Sequence, residues 1–432
     1  MLVELANMFT NDKQIGSWAQ RILYGVLTLW LLFSYFKGLG TVEFHIDESH
    51  WIATSDQFEA FLRFNPQAGI WDESHTTLTN PPVPRYMIAI GRLAGGFTET
   101  ELNKMWDYDR NKNYNIKIGA MPSQILLWWS RLPMAGMAVL AVLVAAGLLH
   151  RIGGPLAGIT WMALVLSNPY LNLQLRRAMA ESSLIFFSIF AVAACAQGIR
   201  TLNTQPTRSR LILIASGVFV GLAAGAKINA FAILGGIVGA ITLLYWRSAR
   251  TNKNFVTGAV LANMIVVTIA ILTFWTSYPY LWANPVDRTI RMVENRVSEM
   301  TYQSGLRDDD VFRDSGQKLA VMPQRIWQDY SSIRFEGSLW LNLGLTLLGA
   351  VVLGGNALRW YKGDTNGAKS MVVLLSGISS SAPVVATMLD WDRYYIYPVF
   401  FSGMFIAAGV AWLINKLWQV LTLGRTELTP AK

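Results

Sequence analysis

The chain has 432 residues, 53% of them hydrophobic and only 15% charged, with a mean hydropathy of +0.33. Soluble domains carry about 25% charged residues, so the composition excludes an ordinary cytosolic enzyme and points to one polytopic membrane unit. The formal net charge is +9, and where the basic residues sit decides between a nucleic-acid footprint and a membrane signal.

Ten apolar runs can be read, near 17–36, 127–149, 153–168, 181–199, 211–226, 229–246, 256–276, 338–358, 370–389 and 395–415. Runs of this kind cross roughly 30 Å of hydrocarbon as helix. The first is too long for a removable signal peptide and is not followed by a small-residue cleavage pattern. The fifth is glycine-rich (Gly217, Gly221, Gly225), which predicts a helix packed closely on its neighbours.

Lys and Arg near span ends are retained on the cytoplasmic side. Arg200, Arg208 and Arg210 form one basic connection, Arg247, Arg250 and Lys253 a second, and Arg359, Lys362 and Lys369 a third. With ten spans all three share a side with both termini, which carry Lys13 and Arg21 at one end and Lys416, Arg425 and Lys432 at the other. The expected protein is therefore a single unit over 1–432 in a plasma (inner) membrane, with both termini cytoplasmic and two outer segments, 38–122 and 277–336. Those segments hold 20 of the 27 carboxylates, so carboxylate chemistry is expected outside the cytoplasm. Much of the positive excess is thus cytoplasmic anchoring, and no nucleic-acid partner is expected. The single cysteine, Cys195, allows no internal disulfide, and the absence of an Asn-x-Ser/Thr sequon favours a bacterial or archaeal plasma membrane.

In the first outer segment, Asp47 is placed to cap a helix running to about Leu62, with Trp51, Phe58 and Leu62 on one face for lying along the membrane surface. Capping alone, or chemistry as well, are both open for Asp47. Asn80-Pro81-Pro82-Val83-Pro84-Arg85-Tyr86 then fixes the backbone and delays a regular helix until after Pro84. His45, Asp47, Glu48, His50 and His75 have the chemistry of a divalent-metal site, although no HExxH or CxxC spacing accompanies them.

Ionisable groups at span ends are functional candidates by default. On the outer side the topology gathers Arg131, Arg176, Arg177, Glu181, Lys227, Asp390, Asp392 and Arg393. Singly, each could snorkel to headgroups, or pair as Arg176 or Arg177 could with Glu181 four or five positions on. As a set beside an acidic loop they suit a phosphate-plus-carboxylate site.

The order of these features carries a resemblance. It runs from a span to Asp47-Glu48 in the first outer loop, then Asn80-Pro81-Pro82 before a short surface helix, and Arg131-Leu-Pro133 at the start of the next span. Arg176 with Glu181, Gly221-Leu-Ala-Ala-Gly-Ala-Lys227 and Asp392-Arg-Tyr-Tyr-Ile-Tyr-Pro398 follow. This resembles the polyprenyl-phosphate-dependent glycosyltransferases of the GT-C fold, the group with protein O-mannosyltransferases and the lipid A aminoarabinose transferase. The resemblance spans most of the chain and thins over 285–370. It implies an all-α fold with about ten transmembrane helices and interfacial helices in the first outer loop. It also implies a sugar donor on a lipid phosphate and an acceptor glycan, lipid or protein entering from outside. Carried over, it makes Asp47 the carboxylate that takes the acceptor's proton and Glu48 its neighbour, and gives Arg131, Arg176, Lys227, Arg393 and Tyr394 to the donor phosphate. His50, Asn80, Arg85 and Glu181 would line the pocket. Asn80 stands where the group has His, Arg85 where Lys is usual, and Glu181 where it has Asp. The competing reading is a lipid-linked sugar flippase or transporter, a class that tends to show internal repeats and charges near the bilayer midplane. No clear repeat is visible here, and the charges lie at the ends of the runs.

Overall fold

The computed structural model of the chain describes residues 18–201, 205–248, 254–306, 311–360 and 366–426. Lys13, Arg250, Lys253, Asp308, Asp309, Asp310, Lys362 and Lys432 of the charge argument lie outside the described residues, as do the side chains of Arg247 and Arg425.

Among the described residues the regular structure is helical, the arrangement that lets each segment satisfy its own backbone in hydrocarbon. The first membrane helix, α1 (Trp18–Phe36), leads into a long segment holding α2 (Ile46–Ala53), α3 (Gln57–Leu62), α4 (His75–Thr79), α5 (Val83–Ala94) and α6 (Lys112–Lys117). The chain then runs through α7 (Gln124–Gly153), α8 (Pro155–Leu166), α9 (Pro169–Gln174), α10 (Ala180–Thr201), α11 (Pro206–Ala224), α12 (Phe231–Ser248) and α13 (Asn254–Thr276). A second long segment carries α14 (Pro285–Leu306) and α15 (Ser315–Gln324), before α16 (Ser338–Trp360), α17 (Asn366–Ser380), α18 (Ala382–Ala386) and α19 (Ile396–Thr426).

Nine helices among the described residues are long and apolar enough to cross a membrane, where ten runs were expected. The run at 153–168 is the one that falls short, as the 12-residue α8. Gly154, at φ 82°, starts it, and Asn168-Pro169 ends it because the Asn168 side chain instead caps α9 by accepting the Leu171 N–H. Even so, α8 links opposite ends of the bundle. Tyr24 Oη donates to the Pro155 carbonyl at 3.0 Å, whereas beyond α8 Asn172 reaches Ser34 near the far end of α1. Both long segments consequently share one side, here called the loop side. Contacts such as His75 with Glu299 and Tyr278 with the Thr77 carbonyl join them there.

The centre is α10, buried nearly all round, while α1 packs on the rim and exposes Ile22, Val26, Leu29, Trp30 and Phe33. A helix apolar on every face can be stable only inside a bundle or against lipid. The glycines of α11 do what their spacing predicts: a Cβ at Gly217 would lie 2.8 Å from the Val266 carbonyl oxygen, and one at Gly221 2.5 Å from that of Ala270. Backbone thus touches backbone along α11 and α13.

The helix expected from Asp47 to Leu62 is two helices, broken at Thr54–Asp56. Its supposed membrane face divides too, since Trp51 is buried and Leu62 exposed. The proline run also differs from expectation: α5 begins at Val83, with Pro84 in the first turn, where a missing N–H costs nothing.

Candidate active site

Asp47 and Glu48 stand in the first turn of α2, and the Asp47 side chain does not cap it. The cap is His45: its Nδ1 accepts the Asp47 N–H at 3.1 Å, and Glu48 Oε2 accepts the His45 N–H at 3.0 Å. The expected capping role of Asp47 is therefore replaced by His45, and the Asp47 carboxylate projects into other contacts.

Glu48 points the other way. It is fully buried against fully buried Arg131, whose Nε and Nη2 donate to it at 2.7 and 2.6 Å. The Ala178 N–H donates to Glu48 as well, at 2.7 Å. Arg131 Nη1 is used up on the Leu39 and Val42 carbonyls, at 2.9 and 3.0 Å. Two expectations are corrected here, since a sealed bidentate pair offers neither a base to an acceptor nor a free fork to a phosphate. Arg177 donates to the Glu43 carbonyl, and Arg176 donates to the carbonyls of Tyr35 and Lys37. The three arginines pin the backbone between α1 and Asp47 in the manner of staples.

Asp47 meets a different set. Arg393, in the 3-10 turn Asp392–Tyr395 that leads into α19, donates to Oδ2, and Tyr108 Oη donates to Oδ1 at 2.9 Å. Burial alone would raise the Asp47 pKa, but Arg393, His45 and the Tyr108 hydrogen bond outweigh it and hold the carboxyl at about 2. Arg393 lies over the Trp391 ring at 4.7 Å, and Trp391 stacks on Tyr394. Asp392 fixes this turn, accepting from Gln174 Nε2 at 2.6 Å and from the Arg393 N–H.

Lys227 adjoins the same cluster. Its Nζ donates to Glu181 at 2.6 Å and lies 6.0 Å from the Tyr394 ring, and Arg393 and Arg296 are close enough to repel it. The pairing of Glu181 with Arg176 or Arg177 does not form, because α10 starts only at Ala180 and both arginines precede it in a turn. The other Glu181 oxygen is buried without a hydrogen-bond partner. Lys227 is placed by the Pro-rich segment, since the Val83 N–H donates to the Gly225 carbonyl at 3.0 Å.

Helix α14 supplies residues that sequence reasoning missed. Arg296 donates to Tyr394 Oη and to Glu299 at 2.7 Å, and Glu299 takes His75 at 3.0 Å. His50 bonds Thr76 and meets His75 edge-on. Burial, then Arg85 and His75, push the His50 pKa down to about 4. Neither Tyr108 nor Arg296 sits in a motif; the amphipathic pattern of 285–306 was the one available signal. Asn80 contributes its carbonyl, which accepts Arg85 Nη1 at 2.6 Å, and Arg85 is buried over the Trp51 ring with Thr54 on its Nε. Arg85 thus braces α2 against α5 rather than facing the Asp47 cluster. The metal expectation is not met by geometry: among the described residues, no three His, Cys, Asp or Glu side chains are grouped to hold an ion. His45 is committed to its cap and His75 to Glu299.

Residues 71–283 match the family model described as dolichyl-phosphate-mannose-protein mannosyltransferase. No curated protein matches the sequence. Among solved structures, the oligosaccharyltransferase of Archaeoglobus fulgidus carrying a tethered acceptor peptide superposes with a TM-score of 0.55 at 12% identity, over 95% of this chain and 51% of that one. The same archaeal enzyme, AglB, in complex with an inhibitory peptide and a dolichol-phosphate, gives 0.52 at 11% identity over 96% and 52%. ArnT from Cupriavidus metallidurans bound to undecaprenyl phosphate gives 0.51 at 15% identity over 90% and 59%. The chain spans a little over half the length of these structures. It is a multi-pass membrane protein with the GT-C fold of membrane glycosyltransferases.

Proposed function

We propose that the protein is a membrane glycosyltransferase that moves a hexose or pentose from a polyprenyl-phosphate donor to a hydroxyl-bearing acceptor, with inversion, on the extracytoplasmic side. The observation that carries this is the sharing of one cluster by a carboxylate, Asp47, and two cations from turns far apart in the chain, Arg393 and Lys227, with Arg296 of α14 beside them. The polyprenyl phosphates bound to the similar folds support the donor class.

In this mechanism the acceptor oxygen attacks C1, the C1–O bond to the lipid phosphate breaks, and the acceptor proton passes to Asp47. Arg393 and Lys227, with the Tyr394 hydroxyl beside them, take the charge that develops on the departing phosphate. A carboxylate held near 2 is a weak base. A donor phosphate competes for Arg393, and as that guanidinium turns to the phosphate the Asp47 pKa rises toward its ordinary value. Base strength therefore comes with the substrate. Asp47 exchanges an ion pair for a proton-accepting role only when a donor is in place.

The test is transfer of labelled sugar from polyprenyl phosphate by purified protein in vesicles. Asp47→Asn is expected to lose transfer while retaining donor binding. Robust transfer by that variant, or wild-type movement of the intact lipid across the vesicle without sugar release, would overturn the assignment.

A further inference from the structure

Outside the cluster just described, the loop-side end of α1 borders a groove of about 420 Å³ lined by Trp30, Phe33, Ser34, Lys37, Asn172 and Arg176, together with Gly38, Thr41 and Val42 of the turn that follows. Its two ends differ chemically. Trp30 and Phe33 form an apolar wall on the outward face of α1, which presents large apolar side chains along its whole length to the position of the acyl chains. Lys37 and Arg176 form a cationic end one turn further along, just past the end of the apolar helix α1, where a span of that length meets the headgroups.

The cations have donors to spare. Lys37 Nζ lies 4.9 Å from the Phe33 ring, and among the described residues no carboxylate pairs with either Lys37 or Arg176. Arg176 spends one N–H each on the Tyr35 carbonyl, Asn172 Oδ1 and the Lys37 carbonyl. A guanidinium carries five, so two N–H groups remain for an anion. The groove is also separate from the Asp47 cluster. Its walls are α1 and the outer flank of α9, whereas Gln174, on α9 itself, reaches Asp392 beside Arg393.

We infer that this groove binds one anionic phospholipid of the surrounding leaflet, its phosphate held by Lys37 and Arg176 and one acyl chain laid along Trp30 and Phe33. Arginine and lysine with an adjoining apolar wall suit a phosphate that brings a tail, and bulk lipid is the phosphate-bearing ligand present at high concentration against this rim helix. The site goes beyond sugar transfer. Arg176 also holds the carbonyls of Tyr35 and Lys37, so an occupied groove would brace the backbone that leads to Asp47.

The experiment counts phosphatidylglycerol retained by the full chain in native mass spectrometry, and titrates it into delipidated protein. Wild type is expected to keep one tightly held phosphatidylglycerol. Lys37→Gln should weaken it about fivefold, the worth of one basic residue near a charged lipid surface, and Lys37→Glu should weaken it further. Arg176 is left intact in the main comparison because its carbonyl contacts are structural, and Trp30→Ala tests the tail end separately. Equal retention by wild type and Lys37→Glu overturns the inference. So does equal binding of phosphatidylcholine, which would mean that the tail alone is read. Displacement by millimolar inorganic phosphate would reduce the groove to an anion site, and preferential displacement by polyprenyl phosphate would make it a carrier site; either result overturns the assigned occupant.

Discussion

Asp47 and Glu48 are neighbours in sequence, both acidic, both paired with an arginine, and they live in opposite surroundings. The Glu48–Arg131 pair has 0% exposure on both side chains, and Glu48 accepts four hydrogen bonds. In the Asp47–Arg393 pair the side chains are 16% and 22% exposed, and beyond Arg393 the Asp47 carboxylate has the Tyr108 hydroxyl at 2.9 Å and His45 Nδ1 at 3.8 Å. Desolvating an ion pair is worthwhile only where further hydrogen bonds complete it, and Glu48 has them. A pair that must open for a substrate cannot be so complete. One turn of α2 thus carries a structural carboxylate on its inner face and an available one on its outer face.

Breaking each pair should give opposite results. Asp47→Asn is expected to lower transfer by about 10²- to 10⁴-fold, the range of general-base catalysis, with a smaller loss of thermal stability than Glu48→Gln because the Asp47–Arg393 pair is partly open to solvent. Labelled-donor kinetics and melting curves on one preparation read both. Should stability collapse and activity survive, the roles of the two acids would be exchanged.

Glu48→Gln leaves the Arg131 charge buried with half its partners, which costs about 3–5 kcal/mol where such pairs have been broken. The measured sign is a lower melting temperature or loss of folded protein, with residual transfer scaling with the folded fraction. Replacing both partners, as in Glu48→Leu with Arg131→Met, should recover part of that loss, because no unpaired charge remains. The corresponding double change at Asp47 and Arg393 should recover no transfer at all.

His50, beside the Asp47 cluster, gives a smaller test read through pH. Its pKa is lowered in the folded protein to about 4, first by burial and then by Arg85 and His75, so the folded state holds it neutral. The unfolded chain takes up its proton from about pH 6.5 downward. Stability from this group is therefore full above that pH and falls between about 6.5 and 4. His50→Gln should flatten the fall over that window in melting curves; an unchanged slope would mean that other groups carry it.

Much of the scaffold was legible in the sequence because a bilayer accepts few solutions. Apolar runs must become helices, and Gly217 and Gly221 must mark close approach wherever helices touch. The run at 153–168 forms its helix within the expected bounds, but at 12 residues α8 is the shortest of the apolar runs, and apolarity alone does not record its length. The site was legible in its components and not in its pairings. Asp47 and Arg393 are 346 positions apart, and no local rule joins them. Glu181 illustrates the failure best: spacing offered it Arg176 or Arg177, but that rule holds only within one helix. Since α10 begins at Ala180, Glu181 turns to Lys227, 46 positions on. Arg131 shows the complementary error, because a cation at a span end reads alike whether it awaits a phosphate or closes a core.

The smallest expected effect comes from Tyr108, which among the described residues is the only further hydrogen-bond donor to the Asp47 carboxylate besides Arg393. Tyr108→Phe removes the 2.9 Å bond to Oδ1, worth about 0.5–1.5 kcal/mol net, and so should move the Asp47 pKa up from about 2 by no more than about one unit. The sign follows from linkage. A carboxyl depressed in the folded state contributes stability above its ordinary value of 3.8, and that contribution is lost as pH falls toward 2. The variant should therefore show a slightly weaker acid limb in its melting temperature, with transfer changed less than tenfold at neutral pH. A loss of transfer as large as that of Asp47→Asn would place Tyr108 in the chemistry itself, and the contrast between the two acids would then become one between Glu48 and an Asp47–Tyr108 unit.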